Sequence, residues 1–239
     1  MKAMVLAAGA GSRMGELTRD LPKPMLTVRG RPILEHILRN LARHGFREIV
    51  LNLHHHPEVI QAHFGDGSSL GVAITYILEP QLLGTAGSAR NAAAFLCGPE
   101  PFLLHYGDVL TDQDFAAMVQ SHHRKAAWAT LLLHERAGSN SVVEVDAGMR
   151  VTRLLERPSE AERAGLTSPW VNSGVYLLDP EILERIDPVV PMDFPRDVFP
   201  PLIAEGRCYG FPLSGYRCAI DSPDRLARAR AEFAGLPGE

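Results

Sequence analysis

The sequence is poor in several features that point to particular classes of protein. It has no strong excess of one charge, because 24 Lys and Arg face 28 Asp and Glu and leave a formal net charge of −4. That balance gives no reason to expect a nucleic-acid-binding protein, which favours a basic face. No apolar run approaches the roughly 20 residues of a membrane span. The apolar stretch after Met1 is too short for the core of a signal peptide and indicates a strand. We expect no nucleic-acid partner and no membrane segment.

Cysteine is also scarce. Cys97, Cys208 and Cys218 are odd in number and show no C-x-x-C spacing. This usage is typical of a reduced chain with buried thiols, and it predicts a cytoplasmic location. The three consecutive histidines at 54–56 point in different directions, so they predict a loop at a strand end rather than a shared metal site. The pair His122-His123 is expected to end a helix as cationic residues.

Strand and helix signals alternate through residues 1–110 and predict a parallel, doubly wound α/β sheet. Continuous apolar runs predict buried strands at 2–8, 47–53, 72–78 and 101–107, with helices at 31–45, 57–65 and 84–96. Later strands are more closely spaced, at 127–135, 141–146, 151–157, 170–179 and 207–213, with helices at 112–125, 180–186, 194–205 and 222–234. This spacing predicts an antiparallel addition. We interpret 1–239 as one domain, with a regular lobe at 1–110 and a second lobe at 111–239.

The stretch LAAGAGSRM, residues 6–14, is a glycine-rich loop at the end of the first strand. It is not the dinucleotide fingerprint G-x-G-x-x-G, because Met14 occupies the last glycine position. It is not the Walker A pattern either, because Gly15 is followed by Glu16 instead of lysine. A different phosphate-binding loop is therefore indicated.

The composition of this loop still suits an anion. Gly9 and Gly11 allow backbone N–H groups to turn toward a phosphate. Arg13 adds a forked set of donors. Ten residues later, the prolines of LPKPM (21–25) restrict the backbone around Lys23. The loop, the arginine and the lysine together predict a triphosphate site.

Two aspartates are candidates for a metal. Asp108 follows an apolar strand directly, at the carboxyl end where open α/β sheets bind their ligands. Asp221 lies in YRCAIDSPDRL (216–226), where an alternative role is the N-cap of the last helix. Carboxylates suit Mg²⁺, which fills its other positions with phosphate and water. By contrast, Asp112 and Asp114 are expected to be turn or cap residues.

With these motifs the chain resembles the sugar-1-phosphate nucleotidyltransferase family, and in particular its short mannose-1-phosphate and heptose-1-phosphate guanylyltransferases. The resemblance runs from Met1 to about Phe233 and rests first on AAGAGSRM followed by LPKPM. LGTAGSARNA (83–92) is similar to the family's base-contacting segment, YGDVL (106–110) to its metal motif, VNSGVYLLD (171–179) to its sugar-contacting strand and AIDSP (219–223) to its second metal motif. The resemblance implies a Rossmann-like, doubly wound, mostly parallel mixed sheet with a small antiparallel sugar-binding lobe, the GT-A-like nucleotidyltransferase fold.

The resemblance also implies a role for each matching residue. The catalytic residues would be Arg13, Lys23 and Asp108, and Mg²⁺ would be held by Asp108 and Asp221. The nucleotide would be bound by Leu6, Ala8, Gly9, Gly11, Ser12, Arg13, Glu79, Gly84 and Thr85. The sugar phosphate would be bound by Gly107, Glu156, Arg157, Asn172 and Gly174. Two positions depart from the family: Arg157 replaces the lysine of its Glu-Lys-Pro motif, and Ser222 replaces a glycine.

The implied reaction joins an NTP and a sugar 1-phosphate into an NDP-sugar and pyrophosphate, by Mg-assisted in-line attack. GTP and a mannose- or heptose-type sugar are favoured. The alternatives are a uridylyl- or thymidylyltransferase for another hexose 1-phosphate, a cytidylyltransferase for a non-sugar phosphate, and a non-catalytic regulatory subunit that binds sugar nucleotides. Whether the chain forms a homodimer is left open.

Overall fold

The computed structural model describes residues 1–9, 11–136, 139–163, 165–188 and 191–238. Its strands are β1 (Lys2–Leu6), β2 (Thr27–Val28), β3 (Arg31–Pro32), β4 (Glu48–Leu53), β5 (Ala73–Leu78), β6 (Phe102–Tyr106), β7 (Val109–Thr111), β8 (Ala129–Glu135), β9 (Ser141–Val145), β10 (Val151–Glu156), β11 (Trp170–Leu178), β12 (Cys208–Pro212) and β13 (Arg217–Ala219). Its α-helices are α1 (Ile33–Arg43), α2 (Pro57–Phe64), α3 (Gly84–Asn91), α4 (Ala93–Leu96), α5 (Phe115–Arg124), α6 (Glu160–Arg163), α7 (Phe199–Ala204) and α8 (Pro223–Glu232). Tighter 3₁₀ turns cover Ser12–Thr18, Lys23–Met25, Ser68–Leu70 and Pro180–Arg185, and a π-turn covers Phe194–Val198.

A seven-stranded sheet has the strand order β12-β8-β11-β6-β1-β4-β5. Strand β11 runs antiparallel to both β6 and β8, whereas the other neighbours in this sheet are parallel. Three two-stranded antiparallel pairs, β9–β10, β7–β13 and β2–β3, lie beside it. The predicted α/β class with a mostly parallel mixed sheet and antiparallel additions is therefore confirmed.

Apolar side chains cover both faces of the sheet. Alternate residues of β1 point to opposite sides, with Ala3 and Val5 in one buried cluster and Met4 in the other. The first cluster includes residues of α1, α5 and α8, and the second includes residues of α3, α4 and α7. This layering explains why the first strands are apolar throughout rather than alternating.

The structure corrects several predicted boundaries. The first helix begins at Ile33 rather than at 31, because Arg31–Pro32 pairs with Thr27–Val28 as a hairpin. The helix expected at 84–96 is interrupted at Ala92. The helix expected from 112 begins at Phe115, where the side chain of Asp114 accepts the Ala116 N–H at 2.8 Å. Asp114 is thus the helix cap that the sequence suggested.

Two predictions about side chains were wrong. Cys208 and Cys218 are buried, but Cys97 is exposed. His122 does not end its helix as a cation: it is buried against Thr130, and burial lowers its pKa to about 4. In the part of the chain that the structure describes, no helix has the length and apolar character needed to cross a membrane.

Candidate active site

The loop after β1 forms one wall of a cleft of about 360 Å³. The loop residues that line this cleft are Leu6, Ala8, Gly9, Gly11 and Arg13. The Gly11 carbonyl accepts the Met14 N–H at 2.8 Å and the Thr18 hydroxyl at 3.0 Å, so the following turn is fixed at both ends. The side chain of Ser12, a predicted nucleotide contact, lies outside the described residues. We call this cavity the nucleotide cleft.

Lys23 reaches the same cleft from a separate turn. Pro22 and Pro24 flank it, and the Met25 N–H closes the turn on the Pro22 carbonyl at 2.8 Å. Only 9% of Lys23 is exposed. Its Nζ donates to Asp108 Oδ2 at 2.5 Å. The proline-flanked lysine is therefore held against the carboxylate that follows β6.

Asp221 comes to the site through the pairing of β13 with β7. That pairing continues as a hydrogen bond from the Ile220 N–H to the Asp108 carbonyl, at 2.8 Å. The Asp221 carboxylate lies 3.6 Å from Arg13 NH1 and 3.3 Å from Arg225 Nε. The cap of the last helix is Ser222, whose side chain accepts the Arg225 N–H. The alternative role of Asp221 as the N-cap is thus corrected.

The carboxylates of Asp108 and Asp221 line one cavity and form a donor set that suits Mg²⁺. Among the described residues, no cluster of three or more His, Cys, Asp or Glu side chains is arranged to hold a metal. Mg²⁺ commonly uses one or two carboxylates and completes its octahedron with substrate phosphates and water. The side chains present therefore fit an open Mg²⁺ site better than a closed structural metal site.

Glu79 lies deep in the nucleotide cleft and is 2% exposed. Its Oε1 accepts from Asn52 Nδ2 at 3.1 Å, while its Oε2 is buried without a hydrogen-bond partner among the described residues. Asn52 is itself fixed by Ser88 and by the Ala7 N–H, at 3.0 and 2.9 Å. Since buried polar atoms are normally paired, the free carboxylate oxygen indicates a donor from a ligand.

The start of α3 is held by a segment more than 100 residues later in the chain. Asp193 Oδ1 accepts from both the backbone N–H and the hydroxyl of Thr85, at 3.0 and 3.1 Å. Gly84 has a φ of 76°, and a Cβ there would lie 2.3 Å from the Met192 carbonyl oxygen. Thr85, a predicted nucleotide contact, lines the nucleotide cleft, but its donors are engaged by Asp193.

A second cleft of about 330 Å³ adjoins the first and shares Arg13, Thr85, Tyr106, Asp108 and Asp193 with it. We call it the sugar cleft. Four of the predicted sugar-phosphate residues line it: Glu156, Arg157, Asn172 and Gly174. Burial raises the pKa of Glu156, against the charges of Arg157 and Arg196.

Asn172 shapes this cleft by internal hydrogen bonds. Its Nδ2 donates to the Tyr176 hydroxyl at 2.8 Å, and its Oδ1 accepts the Gly174 N–H at 3.0 Å. These bonds lie at the register shift of β11 against β8. Asn172 therefore holds the bulge that faces the cleft, and both of its amide atoms are engaged.

Gly107 lies in a different place from the predicted one. It lines the nucleotide cleft instead of the sugar cleft, because its N–H donates to the Leu6 carbonyl at 2.9 Å. A Cβ at this position would lie 2.6 Å from that carbonyl oxygen. The parallel pairing of β1 with β6 thus places Gly107 beside the phosphate loop.

Comparisons with known proteins show the family to which the chain belongs. A family model described as "Nucleotidyl transferase" matches residues 2–216. The chain belongs to the nucleotidyl transferase family. It is 34% identical over 236 residues to the mannose-1-phosphate guanylyltransferase of Mycobacterium tuberculosis, covering 97% of this chain and 64% of that protein. It is 33% identical over 222 residues to the UTP--glucose-1-phosphate uridylyltransferase of Synechocystis, covering 86% of this chain and 56% of that protein.

Among solved structures, HddC from Yersinia pseudotuberculosis shares the fold, with a TM-score of 0.81 and 23% identity over 97% of this chain and 99% of that chain. The chain spans less than two thirds of the length of the two curated relatives named above.

Several residues that line the two clefts of this nucleotidyl transferase were not predicted from the sequence. Asn52 and Tyr106 are polar residues at the carboxyl ends of β4 and β6, and that position was the available signal. His134, Arg136 and Arg217 line the sugar cleft, and no motif marks them. His134 and Arg136 lie at the end of β8, and Arg217 lies at the start of β13. The sequence does not reveal which strands β8 and β13 pair with.

Proposed function

We propose that this chain is a sugar-1-phosphate nucleotidyltransferase, which joins an NTP and a sugar 1-phosphate and releases pyrophosphate. One observation carries the proposal: the ion pairs Lys23–Asp108 and Arg13–Asp221 lie at a common wall of two adjoining clefts. A site that must hold a triphosphate beside a second phosphate needs this concentration of fixed cations next to metal-binding carboxylates.

In the proposed step, an oxygen of the sugar phosphate forms a bond to the α-phosphorus of the nucleotide. The bond from that phosphorus to the bridging oxygen breaks, and pyrophosphate leaves with the electron pair. A phosphate monoester oxygen is already anionic at neutral pH, so the protein has no nucleophile or general base to supply. Arg13 and Lys23 would position the phosphates and offset their negative charge.

Asp108 and Asp221 are the residues that would hold Mg²⁺. The ion would supply charge neutralisation at the phosphate oxygens.

Glu79 supports GTP as the nucleotide. The Watson–Crick edge of guanine offers two adjacent donors, N1–H and the N2 amino group, to a carboxylate. Uracil and thymine offer only one N–H donor on that edge. The partnerless Oε2 of Glu79 in the nucleotide cleft is complementary to guanine. The Mycobacterium tuberculosis relative is named as a guanylyltransferase, and the Synechocystis relative as a uridylyltransferase.

For the sugar, we propose a mannose- or heptose-type 1-phosphate. A uridylyl- or thymidylyltransferase for another hexose 1-phosphate is the second candidate, supported by the Synechocystis relative. Arg157 takes the place of the family lysine in the sugar cleft. Three points stay at the level of the sequence analysis. The single domain with two lobes and the cytoplasmic location are predictions, and a homodimer is left open.

A pyrophosphate-release screen tests the proposal. Each of five NTPs is paired with a panel of sugar 1-phosphates in the presence of Mg²⁺, and the NDP-sugar is identified by mass. We expect the highest kcat/KM with GTP. Nucleotide binding without pyrophosphate release from any pair would favour the non-catalytic alternative, and highest activity with UTP or dTTP would favour the second candidate.

A further inference from the structure

One end of the sugar cleft is strongly basic. The cleft opens there into an outer groove, and the two cavities share His134, Arg136, Arg217 and Arg225. We call Arg136, Arg217 and Arg225 the outer arginine cluster. Among the described residues, the outer groove shares no lining residue with the nucleotide cleft, so Arg136 and Arg217 lie at a different end of the sugar cleft from the wall that Arg13 and Asp108 share with the nucleotide cleft.

Two of the three guanidinium groups have no carboxylate partner among the described residues. Arg217 donates through NH2 to the Ser173 carbonyl at 2.9 Å, and its Nε is buried without a hydrogen-bond partner. Arg136 follows the last residue of β8, and within the described chain its side chain has no hydrogen bond or ion pair. Arg225 differs, since it lies 3.3 Å from Asp221. Arg136 is exposed, so burial costs little there, but Arg217 is half-buried. A cation in that position is costly without a counter-charge unless a ligand supplies one.

The histidine inside the cluster does not supply a counter-charge. His134 Nδ1 lies 2.9 Å from Ser173 Oγ. Burial, together with the positive charges of Arg217, Arg136 and Arg225, lowers the pKa of His134 to about 4. Burial also lowers the pKa of Arg217, while the negative charge of Asp108 acts in the opposite direction. At neutral pH the cluster is therefore a set of guanidinium groups around an uncharged imidazole.

An uncharged hexose ring would leave Arg136 and Arg217 without an anionic partner. Its one anionic group, the anomeric phosphate, has to lie beside Arg13, Lys23 and Asp108 for the reaction to occur. Arg217 precedes Asp221 by four residues, which is roughly 13 Å of extended chain. Its guanidinium is also tied to the Ser173 carbonyl in the bulge of β11. Arg136 and Arg217 therefore line the end of the sugar cleft that continues into the outer groove.

We propose that the sugar substrate carries a second anionic group, a carboxylate or a phosphate ester, and that Arg136 and Arg217 bind it. Guanidinium groups match both anions with paired N–H donors. This inference rests on the proposed function and narrows its substrate class.

The test compares matched sets of sugar 1-phosphates with the full chain, GTP and Mg²⁺. Each set contains a neutral hexose 1-phosphate, its uronate with the carboxylate at C6, and its second phosphate ester at C3 or at C6. We expect kcat/KM to be about tenfold to a hundredfold higher for at least one anionic member. The anionic member with the higher kcat/KM shows whether the second anionic group is a carboxylate or a phosphate ester.

Variants show whether the cluster causes this preference. Arg136→Gln and Arg217→Gln should each reduce the ratio of anionic to neutral kcat/KM by about tenfold. Arg136 is exposed, so its variant keeps the test valid if Arg217→Gln fails to fold. The control is Arg228→Gln in the outer groove, because Arg228 is paired with Glu232 at 2.8 Å and should leave the ratio unchanged.

The outcomes separate this inference from the proposed function. Turnover of neutral sugars without any preference for anionic ones would overturn the inference and leave the proposed function intact. An equal rise in KM for all members in the two variants would show that the cluster binds the anomeric phosphate, and would also overturn it. No turnover of any member would contradict the proposed function and this inference together.

Discussion

The ammonium group of Lys23 lies 2.5 Å from the carboxylate of Asp108, although 85 residues separate them in the chain. A proline-flanked turn presents the lysine, and the end of β6 presents the aspartate. The pair joins the proline-flanked turn to the candidate metal carboxylate in one half-buried contact. The charges that the proposed reaction needs are thus organised by backbone geometry as well as by residue type.

Removing either charge should strongly reduce the proposed turnover while the fold survives. We expect Lys23→Ala and Asp108→Ala each to lower kcat/KM by about 10² to 10³, the usual cost of one electrostatic contact to a transition state. Pyrophosphate release measures the rate, and circular dichroism checks the fold. Lys125→Ala is the control, because Lys125 donates to the Gly148 carbonyl outside both clefts. Near-normal rates in folded Lys23 or Asp108 variants would contradict the assignment.

Asp221 should govern the Mg²⁺ requirement. EDTA should stop pyrophosphate release, and added Mg²⁺ should restore it. Asp221→Asn removes one of two carboxylates, so the Mg²⁺ concentration for half-maximal rate should rise by about tenfold or more. Asp224→Asn is the matched control, since Asp224 is exposed in the first turn of α8. An unchanged Mg²⁺ dependence in Asp221→Asn would remove Asp221 from the metal site.

The strand-and-helix pattern predicted the α/β class. Because parallel strands bring their carboxyl ends to one edge, the same pattern brings Asp108 close to the loop that carries Arg13. Lys23 does not follow from that rule, and its flanking prolines were the signal for it. The contacts of Arg217 with Ser173 and of Asp193 with Thr85 did not follow, because they depend on side-chain direction across distant segments. Hydrophobic periodicity carries no information about such pairs.

Glu79 should decide the choice of nucleotide. Glu79→Gln keeps the size of the side chain but replaces one carboxylate oxygen with an amide that donates. A donor facing the donors of guanine should lower kcat/KM for GTP by about tenfold to a hundredfold. Activity with UTP should fall much less, so the GTP-to-UTP ratio is the readout and UTP is its internal control. A parallel loss with both nucleotides would show that Glu79 acts only through Asn52.

Gly84 is required where α3 begins. Gly84→Ala would add a Cβ 2.3 Å from the Met192 carbonyl oxygen, at a φ of 76°. Gly65→Ala provides the control, because Gly65 has a φ of 53° but nothing within 4 Å of its Cβ position. The control should lose about 1–3 kcal/mol in the free energy of unfolding, from backbone strain alone. Gly84→Ala should lose more and should also raise the KM for nucleotide; equal losses without a KM change would contradict the contact.

His122 should make the protein less stable in mild acid. Its pKa in the folded protein is about 4, against about 6.5 for an unperturbed histidine, because burial disfavours the charged form. The unfolded chain then binds more protons between these values, so the free energy of unfolding falls as pH drops from 6.5 to 4. If the whole pKa shift contributes, the free energy of unfolding falls by about 3 kcal/mol.

Urea unfolding at pH 7 and pH 4.5 measures the loss. His122→Asn should reduce it, whereas His123→Asn, at an exposed position, should not. An equal acid loss in the wild-type chain and in His122→Asn would show that His105 and His134, which have similarly lowered pKa values, account for the pH dependence instead.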